Sequence, residues 1–276
     1  MHVLFRLGRT KHTQSNLCDY AIVLREATPE PMKLNRSNTY ALHRTELGGA
    51  LERGDKAISA MMDGTPLRFN AREELAVQGD GLAHVYRLLE GWCARVRTLP
   101  DARVQIIAVY VPGDLLALKA MFLAEQPDGI YALSAVTAAI VDQARLRDAM
   151  LTNPDIAIRI AFQMSDEERR LHNRVVRLGQ GDAAERVAAM LVALRGRLVR
   201  AGVLDSKVRA YRLPMTQVQI SEFLGLTPVH VNRVFRRLRE DKLATIGSGE
   251  VRFLDFEALA RLASPVLEPF ERTATL

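Results

Sequence analysis

Apolar residues are spaced in three ways along this chain, and each spacing predicts a different architecture. Between residues 85 and 141 they fall in short runs: Val85-Tyr86-Arg87-Leu88-Leu89, residues 92–99, residues 104–111 and residues 130–141. Glu90-Gly91, Pro100-Asp101 and Pro112-Gly113-Asp114 separate the runs. Strands interrupted by such turn residues predict an antiparallel sandwich or barrel. Glu90-Gly91 is short enough to join its two runs as a tight hairpin. A short helix carrying Leu47, Leu51, Ile58, Met61 and Met62 precedes them. From Pro154 the period becomes helical. Ile156, Ile160, Met164, Leu171, Val175 and Leu178 form one stripe along a helix of about twenty-five residues. So long a helix, charged on its other faces, needs a partner for its stripe, and a second copy of itself would serve. Gly179-Gln180-Gly181 ends it. Asp182 and Glu185 have capping-box spacing for the next helix, which carries Val187, Leu191, Leu194 and Leu198 and stops at Gly202.

The third spacing runs over residues 213–253. Thr216 and Gln219 form a capping box before a helix with Ile220, Phe223 and Leu224 on one face, and Gly225-Leu226 allows a sharp turn. Thr227 caps the next helix, and Pro228 occupies its first position, where a missing N–H costs nothing. That helix places Val231, Val234 and Leu238 on its inner face, while His230, Asn232, Arg233, Arg236, Arg237 and Arg239 cover the others. Two short helices joined by a glycine turn make a helix-turn-helix. Residues 243–246, Gly247-Ser248-Gly249 and residues 251–254 then predict a hairpin wing. At the other end, Thr28-Pro29-Glu30-Pro31 and Asn35-Arg36-Ser37-Asn38 break any period, so residues 1–42 are expected to be a poorly ordered extension with one short strand at residues 21–24.

Composition excludes more than it selects. An apolar fraction of 48% with 25% charged residues is that of a globular chain, neither fibrous nor globally disordered. The longest uncharged run, residues 129–141, is far short of the ~18 apolar residues of a membrane span. The opening stretch, MHVLFRLGRTKH, scatters His, Arg and Lys through its apolar residues and leaves no secretory core. Cys18 and Cys93 are too few for a disulfide framework, a Cys-rich zinc site or an iron–sulfur cage. A soluble, cytoplasmic protein without cofactor or membrane contact is expected. The charge is uneven. Residues 169–242 hold sixteen Lys/Arg against six Asp/Glu, a net of +10, whereas the whole chain carries +6. That asymmetry points the C-terminal part at nucleic acid or an anionic surface.

The segment LPMTQVQISEFLGLTPVHVNRVFRRLRED resembles the Crp–Fnr superfamily of bacterial transcription regulators, and the resemblance extends over residues 47–262. Gln78-Gly79-Asp80, Leu88-Leu89-Glu90-Gly91 and Pro112-Gly113-Asp114-Leu115 resemble that family's glycine-marked strand turns. The resemblance implies an α+β chain: an extension (1–42), an antiparallel β jelly-roll sensor domain of cyclic-nucleotide-binding type (43–150), a dimerisation helix (151–184), a winged helix-turn-helix (185–262) and a C-terminal tail (263–276). It implies a homodimer on a two-fold-symmetric site in double-stranded DNA, with RNA polymerase as a further partner. Thr216, Gln217, Thr227, Pro228, His230, Asn232, Arg233, Arg236 and Arg237 are then the DNA-contacting residues, and the stripe from Ile156 to Leu178 is the dimer seam. Val229 stands where many relatives carry Glu, so their half-site sequence does not transfer.

Cyclic-nucleotide binders of this fold carry a Gly-Glu pair followed about ten residues later by an Arg that pairs with the phosphate. Here Gly113, Asp114 and Leu115 stand at the effector position, residues 115–130 contain no Arg, and Lys119 is displaced, so the cassette is expected to be degenerate. Cys93 in a strand is expected to be a buried free thiol, with a redox role as the alternative. His84 and His172 lack a second ligand at metal-site spacing. Asp114, Glu125 and Asp128 suit turns and surfaces better than acid–base catalysis, and nothing resembles a nucleophile elbow, a P-loop or a zincin. Beside the DNA-binding regulator stand two other readings: a ligand- or redox-sensing module with secondary nucleic-acid contact, and RNA binding through the same basic half.

Overall fold

A computed structural model of the chain describes residues 45–62, 64–81 and 83–267. The expected extension over residues 1–42, its strand at 21–24, and residues 268–276 of the expected tail lie outside the described residues. Helix α1 (Thr45–Met61) is followed by β1 (Leu67–Phe69), β2 (Glu74–Ala76), β3 (His84–Glu90), β4 (Cys93–Thr98), β5 (Val104–Tyr110), β6 (Leu115–Leu116), β7 (Gly129–Ala132) and β8 (Val136–Asp142). They form two four-stranded antiparallel sheets, in the orders β1-β8-β3-β6 and β2-β7-β4-β5. Successive strand residues point to opposite faces. Tyr86, Leu88, Cys93 and Tyr110 accordingly fill the space between the sheets, while Val85 on the other face of β3 packs against helices.

Glu90-Gly91 does not make the expected hairpin. β3 pairs with β8 and β6, whereas β4 pairs with β5 and β7, so the chain crosses there from one sheet to the other. Gly91 has φ +86°, and a Cβ on it would lie 2.2 Å from the Ala135 carbonyl oxygen. The crossing therefore runs tight against a second crossing at residues 133–135, which splits the expected single run 130–141 into β7 and β8. Leu133 N–H donates to Trp92 O at 2.8 Å, tying the two crossings together.

Two helices follow the sheets, α2 (Gln143–Thr152) and α3 (Pro154–Gln180). Asn153 caps α3 by accepting from Asp155 N–H at 3.0 Å, and Pro154 stands at its first position. The expected apolar stripe of α3 divides in two. Ile156 and Ile160 are buried against Ile58, Val85, Leu115 and Leu146 of the same chain, so they are not available to a second copy. Leu171 and Leu178 are half-buried, and only Met164 and Val175 of the stripe stand exposed, joined by Val176.

Next comes α4 (Ala183–Arg200), opened by the expected capping box: Glu185 N–H donates to Asp182 Oδ1 at 2.8 Å, and Asp182 N–H to Glu185 Oε2 at 2.9 Å. It ends at Gly202, whose left-handed backbone (φ +70°) lets Val203 N–H reach back to Leu198 O. Beyond lie β9 (Ala210–Arg212), α5 (Gln217–Leu224), α6 (Pro228–Glu240), β10 (Ala244–Gly247), β11 (Glu250–Phe253) and α7 (Phe256–Ala263). The last three strands form an antiparallel sheet in the order β10-β11-β9. Neither β9 nor α7 was expected from the sequence.

The outer face of the β4–β5 sheet is not solvated. Trp92, Ala94, Val96, Ile106, Val109 and Val111 join one hydrophobic core with α4, α5, α6 and α7. Trp92 stacks on Tyr211 at 6.5 Å and 8°. Polar contacts border the seam: Gln219 Nε2 donates to Tyr131 Oη at 3.3 Å, Gln105 Nε2 donates to Glu222 O, and the Arg174 guanidinium lies 3.7 Å over the Phe223 ring.

Gly54 marks the closest approach of α1 to α3. A Cβ there would meet Asp155 O at 2.2 Å and Arg159 Cβ at 2.9 Å. Gly54→Ala is therefore expected to push the helices apart and to cost about 1–3 kcal/mol. Urea titration should show a lower midpoint at an unchanged slope.

Candidate nucleic-acid interface

Local chemistry builds the helix-turn-helix as the sequence predicts. Thr216 and Gln219 exchange bonds across the start of α5: Gln219 N–H donates to Thr216 Oγ1 at 3.2 Å, and Thr216 N–H donates to Gln219 Oε1 at 2.8 Å. Gly225 takes the left-handed conformation (φ +62°) that turns the chain into α6. Thr227 Oγ1 accepts from His230 N–H at 3.2 Å, and Pro228 sits at N1. α6 buries Val231, Val234, Phe235 and Leu238. Phe235 extends the expected face by one residue. The wing closes through Ser248 (φ +51°) and Gly249 (φ +75°), the pair of left-handed residues that suits a two-residue hairpin.

Thr216, Gln217, Thr227, Pro228, His230, Asn232, Arg233, Arg236 and Arg237 are all exposed. Gln217, Asn232 and Arg236 line a groove of about 380 Å³ between α6 and the wing, together with Arg239, Thr245 and Ser248. His230, Arg233 and Arg237, three and four residues apart, form a second exposed row on α6. Arg239, Thr245 and Ser248 were not among the expected contacts. The turn pair Ser248-Gly249 was the sequence signal that could have added the wing.

Electrostatics marks this face by the clustering of its open guanidiniums. Among the described residues Arg233, Arg236 and Arg239 have no carboxylate partner, and Arg237 meets only Asp241, at 3.5 Å with both side chains exposed. The less exposed guanidiniums of the two-sheet domain and α3 are engaged instead. Arg87 and Arg159 hold Asp55, each at 2.8 Å, Arg97 holds Asp128 at 2.6 Å, and Arg95 holds Glu167 at 2.8 Å. Exposed, uncompensated guanidiniums on a convex helix are suited to phosphate oxygens and to the paired acceptors of a guanine edge.

The effector residues are placed differently from the expectation. Gly113 (φ +95°) is in a turn, Leu115 is fully buried, and the Asp114 carboxylate accepts from Val111 N–H at 2.8 Å and from the Arg197 guanidinium of α4, with Arg170 of α3 at 3.8 Å. A cavity of about 300 Å³ does lie between the sheets and α3, but its wall includes Arg95, Tyr110, Lys119, Gln126 and Met164 and none of those three residues. Arg95 donates through Nη1 to Glu167 and to Tyr110 Oη at 3.2 Å while its Nε and Nη2 are buried without a hydrogen-bond partner, and Lys119 lies 3.4 Å from Asp128. Cys93 is fully buried, and burial followed by the Asp114 charge pushes its thiol up to about 12. Among the described residues no group of three His, Cys, Asp or Glu could hold a metal ion, and no helix is long and apolar enough to cross a membrane.

Comparison with known proteins agrees with this geometry. Residues 185–262 match the Crp-like helix-turn-helix domain, and residues 66–153 the cyclic nucleotide-binding domain. The chain is 33% identical over 202 residues to the transcriptional activatory protein AadR of Rhodopseudomonas palustris, covering 70% of this chain and 80% of that one. It is 29% identical over 218 residues to the transcriptional activator protein Anr of Pseudomonas protegens, covering 79% and 87%. The structure of FixK2 from Bradyrhizobium japonicum superposes with a TM-score of 0.65 at 24% identity over 72% of this chain and 96% of that one.

A thiol held up to about 12 stays protonated at neutral pH and is a poor nucleophile. In a Cys18→Ser protein, Ellman's reagent is therefore expected to leave Cys93 unmodified at pH 8 until denaturant is added. Rapid reaction of the native protein would restore the redox alternative.

Proposed function

The chain belongs to the Crp–Fnr family of DNA-binding transcription regulators, and from that membership we propose that it acts as a homodimer on a two-fold-symmetric duplex site, with α6 in the major groove. The observation that carries this reading is the unpaired guanidinium set of α6 beside the wing groove. Thr216 and Thr227 cap helices whose first backbone amides can receive phosphate oxygens. His230 and Arg233, in the first half of α6, face base edges, and Arg233 forks onto guanine O6 and N7. Gln217, Asn232, Arg236 and Arg237 hold the backbone and register. The second copy joins along the C-terminal half of α3, where Met164, Val175 and Val176 are exposed, with half-buried Leu171 and Leu178 at the edge of the seam; this is the covering such apolar surface calls for.

The two-sheet domain is assigned no response to cyclic nucleotide, since Asp114 is committed to Arg197 and neither it nor Gly113 or Leu115 lines the cavity. We assign the protein no catalytic step. RNA polymerase is a further partner, and the cytoplasm the compartment.

Two arginines test base reading against charge. Arg233→Ala should cost about 1–3 kcal/mol on the operator and flatten preference at one base pair of each half-site. Arg237→Ala should weaken all duplexes alike and reduce the slope of log K against log salt by about two in a dimer. Binding series on operator and scrambled duplexes over a range of salt check both. Equal loss on both duplexes with Arg233→Ala would show that α6 docks otherwise. Assembly is tested by sedimentation: Val175→Glu with Met164→Glu should yield monomers that lose operator binding, and an unmodified protein that is monomeric at micromolar concentration would refute the dimer.

A further inference from the structure

Thr227 and Pro228 fix where α6 begins, and so fix the direction of the residue that follows them. Val229, the second residue of the helix, is 68% exposed. Asn232, Arg233 and Arg236 stand three, four and seven residues further on, the spacing of a single helix face. Val231, Val234, Phe235 and Leu238 hold the opposite face in the core. Val229 therefore heads both exposed rows of α6, one turn before Asn232 of the wing-groove row and Arg233 of the other.

The chemistry of that position differs from its neighbours. The exposed residues after it on α6 all carry hydrogen-bonding or charged groups, whereas Val229 carries two methyls and nothing polar. A β-branched side chain in a helix is held in essentially one χ1 rotamer, so these methyls are presented at a fixed place and lose little freedom when covered. Against a base edge valine can neither donate nor accept. Facing an adenine, guanine or cytosine it would strip water from polar atoms and give them no partner. The thymine C5-methyl is the one apolar group that the major groove presents.

We propose that Val229 is a specificity-determining residue that packs on the C5-methyl of one thymine in each half-site. This rests on the reading of α6 as the helix that enters the major groove. Side chains four apart on a helix are about 5–6 Å apart at Cβ, and successive bases along a strand are about 3.4 Å apart. The thymine thus lies one or two base pairs from the guanine that Arg233 reads. A cytosine at that place presents an N4 amine and no methyl, so Val229 adds a choice between pyrimidines that the arginine does not make.

Selection from randomised duplexes with the full-length protein supplies the site. Equilibrium titration then compares that duplex with duplexes in which one thymine per half-site is replaced by deoxyuridine, which keeps every hydrogen-bonding group and lacks the methyl. At one thymine, one or two base pairs from the guanine whose preference Arg233→Ala flattens, deoxyuridine should weaken binding by about fourfold per half-site, the effect of one buried methyl. Val229→Ala should remove most of that penalty. Arg237→Ala should weaken both duplexes alike and leave the ratio between them unchanged. An enriched site bound equally well with deoxyuridine at every thymine, or a Val229→Ala protein that keeps the full penalty, would overturn the thymine contact and leave the docking of α6 standing. Enrichment of no duplex sequence would instead overturn the reading of α6, and this contact with it.

Discussion

The burial of α4 on nearly every side constrains the rest of the structure. Val187, Ala188, Ala189, Met190, Leu191, Val192, Leu194 and Leu198 are all at most 3% exposed, so one helix is enclosed by α5, α6, α7 and the β4–β5 sheet at once. A helix apolar all round can exist only inside a core. Its small residues, Ala184, Ala188, Ala189 and Gly196, allow neighbours close approach, and its two charged interior members are answered locally. Arg195 donates to the Ser206 carbonyl and lies 4.5 Å over Phe256, while Arg197 reaches Val109 O and Asp114. The sheet face that would otherwise be wet is buried by the same requirement, which is why Trp92 and Tyr211 stack across the seam. The recognition helix is thus carried by an element that the two-sheet domain helps to bury.

Function follows from where charge is left uncompensated. The buried and half-buried arginines of the body spend donors on carboxylates, backbone carbonyls and aromatic rings. Those on the outer side of α6 do not. Folding thus leaves a cluster of open guanidiniums on the recognition face, beside the wing groove, for an external polyanion. In the proposed dimer the exposed Met164, Val175 and Val176 of α3 play the corresponding part, because its N-terminal half is already used on Ile58, Val85 and Leu146.

Legibility in the sequence tracked the range of the interaction. Caps at Thr216, Thr227 and Asp182, the proline at N1 of α6 and the turn glycines Gly202 and Gly225 act within a few residues, and they gave the helical half almost to its boundaries. Sheet membership is a long-range property. Nothing local distinguishes Glu90-Gly91 as a crossing between sheets from a hairpin, since the deciding contact is with Ala135, more than forty residues on. The same holds for Asp114, whose partners lie on α3 and α4, and for the split stripe of α3, where periodicity shows that Ile156 and Val175 share a face but not that α1 already covers one end. β9 is short and β-paired only to the wing, and α7 finds its apolar partner in α4, so neither carries a strong local signal. Phe235 was hidden by its place between Val234 and Arg236, beyond the expected three-residue face.

Trp92 is the single tryptophan of the chain and stands on the seam, stacked on Tyr211, which makes it a direct reporter of whether the two halves form one body. Urea unfolding followed by its emission and by far-ultraviolet circular dichroism measures this. The shared core predicts coincident midpoints, because the recognition unit cannot leave the sheet without exposing α4. A red shift of Trp92 emission that precedes the loss of helical signal would contradict it, and would mean that the winged unit separates from the two-sheet domain while both stay folded.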